Sequence, residues 1–270
     1  MNAVPSDDQD AGLVADRLKL AAVFGHEGVA EVYQHRPPYP DEVFDLLTAL
    51  ISASPSTVLD LGAGDGSLAR PLAGRVDQVD ALDISPAMIE AGKRRPGGDR
   101  PNLRWITGSA ETAPLGGPYA LVTAGESLHW MDPVPTLTRI ARVMTGDACL
   151  AIATRGYPEL AWQAGLLEVI RRHSRSVSYK PDFNLPEELA NLGLYEVVGT
   201  ATTAPAPVTR SIAHYIDGLH STSSLAREHM SEPEIAEFAA AIAALTEPYA
   251  TDGLLRLTVV GTVVWGRVTA

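Results

Sequence analysis

The chain has 270 residues, a formal net charge of −12 and a single cysteine. The acid surplus runs through both halves, which leaves no basic face for a nucleic-acid backbone or an anionic lipid surface. One cysteine allows neither an intrachain disulfide nor a multi-cysteine metal site. With 46% hydrophobic and 20% charged residues, the composition is that of a globular domain with a sizeable core. Met1 to Asp10 is polar and acidic, unlike a secretory leader, and no apolar run reaches the length of a membrane span. A reducing cytoplasm is the expected setting.

Residues 1–12 read as a frayed tail. Val14, Leu18, Ala21 and Ala22 then recur at helical spacing up to Gly25. Asp41 starts a helix whose apolar face is Val43, Phe44, Leu46, Leu47 and Leu50. From Thr57 short apolar runs alternate with helical ones. Strands are predicted at Thr57–Leu61, Val76–Asp83, Leu103–Thr107, Tyr119–Ala124 and Ala148–Ala153. Helices fall at Leu68–Leu72, Pro86–Arg95 and Asp132–Met144. This alternation implies βαβ units and a mainly parallel sheet. Cys149 lies in the last of these strands and reads as a buried structural thiol. Further helices are expected at Leu160–His173, Leu185–Leu192, Ile212–Leu219 and Glu232–Leu245, with a strand at Leu194–Thr200. Ala204-Pro205-Ala206-Pro207 should break any element, and Leu254–Val268 is a long β-branched run interrupted by Gly261. No repeat or long linker appears, so one domain is expected.

The most informative segment is Asp60-Leu61-Gly62-Ala63-Gly64-Asp65-Gly66, a strand running into a glycine loop. Glycines there let a backbone turn tightly and approach a ligand at the carboxyl ends of parallel strands. Ser67 occupies the place of the last glycine in a dinucleotide fingerprint. Asp60 would repel a pyrophosphate but suits an amino group or another positive charge. Asp83 ends the second strand, where a carboxylate accepts from both hydroxyls of a ribose. A nucleoside joined to a cation points to S-adenosylmethionine.

Val58 to Gly66 resembles motif I of the class I S-adenosylmethionine-dependent methyltransferases, and Val79 to Ile89 resembles that family's second strand, loop and helix. Gly108-Ser109-Ala110-Glu111 is similar to the segment after the third strand, with Ser109 where several members carry Asp. Tyr33 to Pro40 and the His129-Trp130 pair resemble a methyltransferase type 11 subgroup. The resemblance covers roughly residues 30–155. It implies a Rossmann-like three-layer α/β sandwich with a seven-stranded, mainly parallel sheet whose last strand is antiparallel. The cofactor-binding core would be 57–154, and helices in 13–53 and about 159–247 would cap an acceptor pocket.

The same resemblance implies roles. Gly62, Ala63 and Gly64 would pack along the methionine portion of the cofactor, with Asp60 near its amino group. Asp83 would hold the ribose with Ile84 against adenine, Met88 would belong to the cofactor-binding set, and Ser109, Ala110 and Glu111 would edge the ring. Ala124 and Gly125 would pass under the sulfonium, while Tyr33 and Arg36 would close over the cofactor. S-adenosylhomocysteine would be the product.

His129 is the candidate general base because it follows the fourth strand; an ordinary loop histidine is the competing reading. Glu126, Trp130 and Tyr39 are candidate acceptor-binding residues, each with a plain surface or packing alternative. Arg171-Arg172-His173-Ser174-Arg175 reads as a solvated helix end, and His214, His220 and His229 lack ligand spacing, so no metal is expected. The expected activity is methyl transfer to a small molecule, preferably at a hydroxyl or carboxylate oxygen, as in secondary metabolism, by a monomer or homodimer. The alternatives are a cyclisation or elimination in the same fold without methyl transfer, and a non-catalytic cofactor-binding regulator.

Overall fold

The computed structural model describes residues 20–176 and 183–270. The expected tail, and the Val14 and Leu18 portion of the first helix, lie outside the described residues. The chain divides into two compact units. Of the described residues, one comprises 37–159, 184–208 and 257–270; the other comprises 20–36, 160–176, 183 and 209–256.

The first unit is built on a sheet. The strands are β1 (Thr57–Leu61), β2 (Gln78–Asp83), β3 (Leu103–Thr107), β4 (Tyr119–Gly125), β5 (Met144–Gly156), β6 (Tyr195–Thr202), β7 (Ala206–Ser211) and β8 (Leu254–Val268), of which residues 209–211 and 254–256 are counted with the other unit. The order is β3-β2-β1-β4-β5-β8-β6, with β7 also paired to β8. β1 to β5 are parallel, and β8 runs antiparallel to both β5 and β6. The family-derived expectation of an antiparallel last strand therefore holds, but the strand count is corrected from seven to eight. The extra strand, β7, contains Pro207 in the stretch expected to break any element. It pairs only with β8, and an edge position tolerates a residue that has no N–H to donate.

Side-chain alternation explains why both faces of this sheet are covered. Val58, Val79, Leu121 and Ala151 face one apolar cluster, together with Val43, Phe44 and Leu47 of α2 (Asp41–Ala49) and Leu72 of α3 (Ala69–Leu72). Leu59, Leu82, Val122 and Leu150 face the other, with Leu137 and Ile140 of α5 (Pro133–Ala141) and Leu189 of α7 (Leu185–Asn191). Adjacent residues of a strand point to opposite faces, so each strand serves both cores and reads as a nearly continuous apolar run. Gly261 does not interrupt β8, which runs unbroken through it, and a side chain there would collide with Val43 of α2. α4 (Pro86–Lys93) starts at an N-cap, where the Ser85 hydroxyl accepts from the Met88 N–H at 3.1 Å.

Several boundaries move by one to four residues, most of all around β5. The helix expected over 132–144 ends at Ala141, and β5 begins at Met144, which pairs with Tyr119. Cys149 is half-buried rather than fully enclosed, and its surroundings still push the thiol pKa up by desolvation.

The second unit is helical: α1 (Glu27–Val32), α6 (Gln163–His173), α8 (Ile212–His220) and α9 (Glu232–Thr246). α9 opens with a capping box in which the Glu234 carboxylate accepts from the Ser231 N–H at 2.8 Å. Phe238 of α9 is wholly buried, with the rings of His173 and His220 against it at 5.5 and 4.8 Å between centroids. The expected solvated helix end is therefore corrected at His173, which is buried, while Arg172 and Arg175 pair with Glu237 and Glu234. No helix among the described residues is long and apolar enough to cross a membrane.

Candidate functional site

The glycine loop follows β1, and its conformation demands glycine. Gly62, Gly64 and Gly66 have φ of 64°, 58° and 79°. A Cβ at Gly62 would lie 2.5 Å from the Cβ of Ser127. The Ala63 N–H donates to the Leu82 carbonyl at 2.9 Å, tying the loop to β2. Asp65, inside the loop, is buried against Arg95 at 2.8 Å and accepts from the Ser67 hydroxyl at 2.7 Å. The serine that departs from the dinucleotide fingerprint thus braces the loop from within.

At the end of β2, each oxygen of the Asp83 carboxylate accepts one backbone N–H, from Gly64 at 2.7 Å and from Ser85 at 2.8 Å. Burial raises its pKa and these two hydrogen bonds oppose the rise. A carboxylate offers about four acceptor positions. Two are used, so the group has acceptor capacity left for a pair of hydroxyls. Ile84, the next residue, is 71% exposed, the most open large apolar side chain among those described. A paired acceptor beside an uncovered apolar face suits a ribose joined to a flat base, so these residues fit a nucleoside. Met88, by contrast, is buried in the first turn of α4.

Asp60 stands at the end of β1 and is 1% exposed. Its carboxylate accepts from the Thr123 hydroxyl of β4 at 2.8 Å and from a backbone N–H at Ala69. Desolvation dominates, and with the nearby charge of Asp83 it pushes the Asp60 pKa up to about 7.

The segment after β3 is pinned. Glu111 accepts from the Ser109 hydroxyl and from the Asp132 N–H at 3.0 Å. Arg139 of α5 donates to the carbonyl of Ala110 at 2.7 Å. Ala124 and Gly125 close β4 against β5, paired with Ile152 and Ala153. Beyond them Glu126 has φ of 54°, a strained conformation for a residue with a side chain and one that clusters at functional sites. Its carboxylate accepts from the Arg155 N–H at 3.4 Å and lies 3.9 Å from the Arg155 side chain. That guanidinium covers the Tyr39 ring at 4.2 Å, and the Tyr39 hydroxyl donates to the Ala153 carbonyl at 3.4 Å. Tyr39 is buried beneath Arg155. His129 and Trp130 share a single turn, Leu128–Trp130, half-buried with their rings 4.5 Å apart.

The structure therefore brings Asp60, Gly62, Ala63, Gly64, Asp83 and Ile84 together around the ends of β1 and β2. Tyr39 and Glu126 gather at the ends of β4 and β5. Tyr33 and Arg36 belong to the helical unit, where the Arg36 guanidinium lies over the Tyr33 ring and donates to Ser221. Thr123, Ser127 and Arg155 escape sequence reasoning. Thr123 becomes visible only once the register sets it beside Asp60, and Arg155 lies two residues past the predicted end of β5.

A strand-end carboxylate pair, a positive-φ glycine loop and this strand order define a class I methyltransferase fold. The comparisons agree. A family model described as a methyltransferase domain matches residues 58–147. An uncharacterized methyltransferase of Mycobacterium tuberculosis is 30% identical over 156 residues, covering 53% of this chain and 78% of the relative. Another from the same organism is 29% identical over 203 residues, covering 74% and 79%. The solved structure of a methyltransferase from Thiobacillus denitrificans, in complex with S-adenosylhomocysteine, is 19% identical with a TM-score of 0.51, covering 89% of this chain and 96% of that one. The chain belongs to the S-adenosylmethionine-dependent methyltransferase family.

Proposed function

We propose that this methyltransferase moves a methyl group from S-adenosylmethionine to an oxygen of a small-molecule acceptor. The observation that carries the cofactor half of this reading is the Asp83 carboxylate, held by Gly64 and Ser85 with acceptor capacity to spare and flanked by exposed Ile84. Asp83 would accept from the ribose hydroxyls, and Ile84 would lie against the base. Gly62, Ala63 and Gly64 would run along the methionine portion and Asp60 would meet its amino group. Ser109, Ala110 and Glu111 would border the adenine edge.

When bound, the cofactor supplies a methyl carbon already activated by a positively charged sulfur. The protein then has to align the acceptor and exclude water. Glu126, fixed by Arg155, would take a hydrogen bond from the acceptor, and Trp130 would wall it. His129, on the turn after β4, would accept the proton of an acceptor hydroxyl; a carboxylate acceptor would need no base and His129 would only orient it. The half-buried setting of His129 beside Trp130 supports this role.

The test is product analysis with labelled S-adenosylmethionine and a panel of hydroxylated and carboxylic acceptors. Label transfer to an oxygen, with release of S-adenosylhomocysteine, is expected. Cofactor binding without turnover on any acceptor counts against methyl transfer. His129→Ala should lower turnover about 100-fold on a hydroxyl acceptor, within the usual range for a general base, and leave cofactor affinity unchanged. Unchanged turnover removes the base role.

A further inference from the structure

We infer that Asp60 gives up a proton when a cationic ligand binds at the cofactor site. The inference rests on the cofactor reading above. It starts from an electrostatic imbalance. Three carboxylates surround the glycine loop, and they are not treated alike. Asp65 has Arg95 at 2.8 Å and Arg70 at 3.7 Å. Asp83 has two backbone N–H donors. Asp60 is as deeply buried as Asp65, yet among the described residues it has no ion-pair partner and is held only by one hydroxyl and one N–H.

The charges facing Asp60 can be taken element by element. β1 carries no other ionisable side chain. β2 contributes Asp83, a like charge; Asp80 on the same strand is neutralised by Arg104. β4 contributes the Thr123 hydroxyl and, past its end, Glu126, which is engaged by Arg155. α3 contributes the N–H of Ala69 and carries Arg70, which is committed to the Asp65 carbonyl, the Pro96 carbonyl and the Asp65 carboxylate. Among the described residues no cation lies within ion-pair distance of Asp60 or Asp83. Two carboxylates buried near each other do not both ionise at neutral pH without compensation, and Asp60, with the weaker set of donors, holds the proton. A pKa near 7 for this group agrees with that geometry.

A ligand that brings an ammonium group to this place supplies the missing charge. The proton on Asp60 then leaves to solvent, and the carboxylate stays as counter-ion. Binding and proton release become one linked step, so affinity rises with pH up to the pKa of the free site and levels off above it.

The experiment is calorimetric titration of S-adenosylmethionine into the full chain at pH 6.5, in buffers of differing ionisation enthalpy. The slope of the apparent enthalpy against the buffer enthalpy counts the protons released. The ligand's own α-amino group, with a pKa of about 8, is already protonated at this pH and releases none. The expected slope is more than about half a proton, with affinity climbing by up to about tenfold per pH unit below the site's pKa. Asp60→Asn should release none and bind with a pH-independent affinity. Thr123→Val removes the hydroxyl that favours the carboxylate form, so its proton release should move to higher pH; this variant keeps the test alive if Asp60→Asn does not fold. Measurable binding with no proton release, or equal release by wild type and Asp60→Asn, overturns the inference and leaves the cofactor reading standing. An absence of binding at every pH overturns the cofactor reading, and the inference falls with it.

Discussion

The sheet unit and the helical unit bury polar groups in opposite ways. In the sheet unit, the buried carboxylates other than Asp60 are wrapped in donors. Asp80 accepts from Arg104 at 2.9 Å, from the Tyr119 hydroxyl at 2.5 Å and from Gln78 at 3.1 Å, and the Tyr119 pKa is pushed up to about 12 mainly by desolvation, with the Asp80 contact adding to it. In the helical unit, His173 and His220 are buried against Phe238, and the Nε2 of each finds no hydrogen-bond partner among the described residues. His220 keeps only its Nδ1 contact with the Leu225 carbonyl, at 2.8 Å. The first pattern fixes charges at chosen places; the second encloses two imidazoles against an aromatic ring, and burial lowers the pKa of His220. The sheet unit is therefore suited to hold an ionic ligand, and the helical unit should be sensitive to acid.

Four experiments break or sharpen this contrast. The largest effect is expected for Gly62→Ala, which forces a side chain into positive φ and against Ser127. The conformational cost alone is about 1–2 kcal/mol, and the clash adds to it. Chemical denaturation should show a loss above about 2 kcal/mol; a loss under about 0.5 kcal/mol would mean that the loop is not as tightly built as described.

Next comes Asp80→Ala, which strands the Tyr119 hydroxyl in a buried place while half-exposed Arg104 turns to water. The expected cost is about 2 kcal/mol, with cofactor affinity unchanged because Asp80 is not at the strand end. A matching drop in affinity would show that stability and ligand site are coupled.

The third is acid sensitivity. Burial lowers the His220 pKa from its ordinary value near 6.5. Below that pH the unfolded chain binds a proton that the folded chain refuses, so stability falls as pH drops through this window and gains nothing above it. His220→Gln should flatten that part of a melting-temperature profile between pH 7.5 and 5.5. A profile as steep as that of wild type would place the acid sensitivity elsewhere.

The smallest effect is expected for Ser231→Ala. It removes the cap of α9 at a cost of about 1 kcal/mol, read by thermal unfolding, without altering ligand affinity.

How much of this was legible in the sequence follows the same division. β1, β2 and β4 announce themselves because each is a short apolar run between turn residues, buried on both faces, and β3, partly exposed at the sheet edge, follows from its apolar Leu103, Trp105 and Ile106. β5 extends backwards through Thr145, Gly146 and Asp147, a polar stretch whose strand character comes from pairing at Tyr119 rather than from its own composition. β7 was hidden by Pro207. Among site residues, Asp60, Asp83 and the glycines sit at strand ends that the motif marks. Thr123 and Arg155 carry no motif, and their importance lies in contacts with residues 63 and 29 positions away. The buried state of His173 could not be read from Arg171-Arg172-His173 because the helix turns that one residue inward, toward Phe238.

The central claim is that the ends of β1 and β2 form the cofactor site, with Asp83 as its anchor. Titration of S-adenosylhomocysteine into the wild type and into Asp83→Ala tests it most directly, with Asp80→Ala as the stability control. One site per chain is predicted in the wild type and in Asp80→Ala. In Asp83→Ala, each lost charged hydrogen bond is worth about 1.5–3 kcal/mol, so affinity should fall by at least about tenfold. Equal affinity in the wild type and Asp83→Ala would contradict the account.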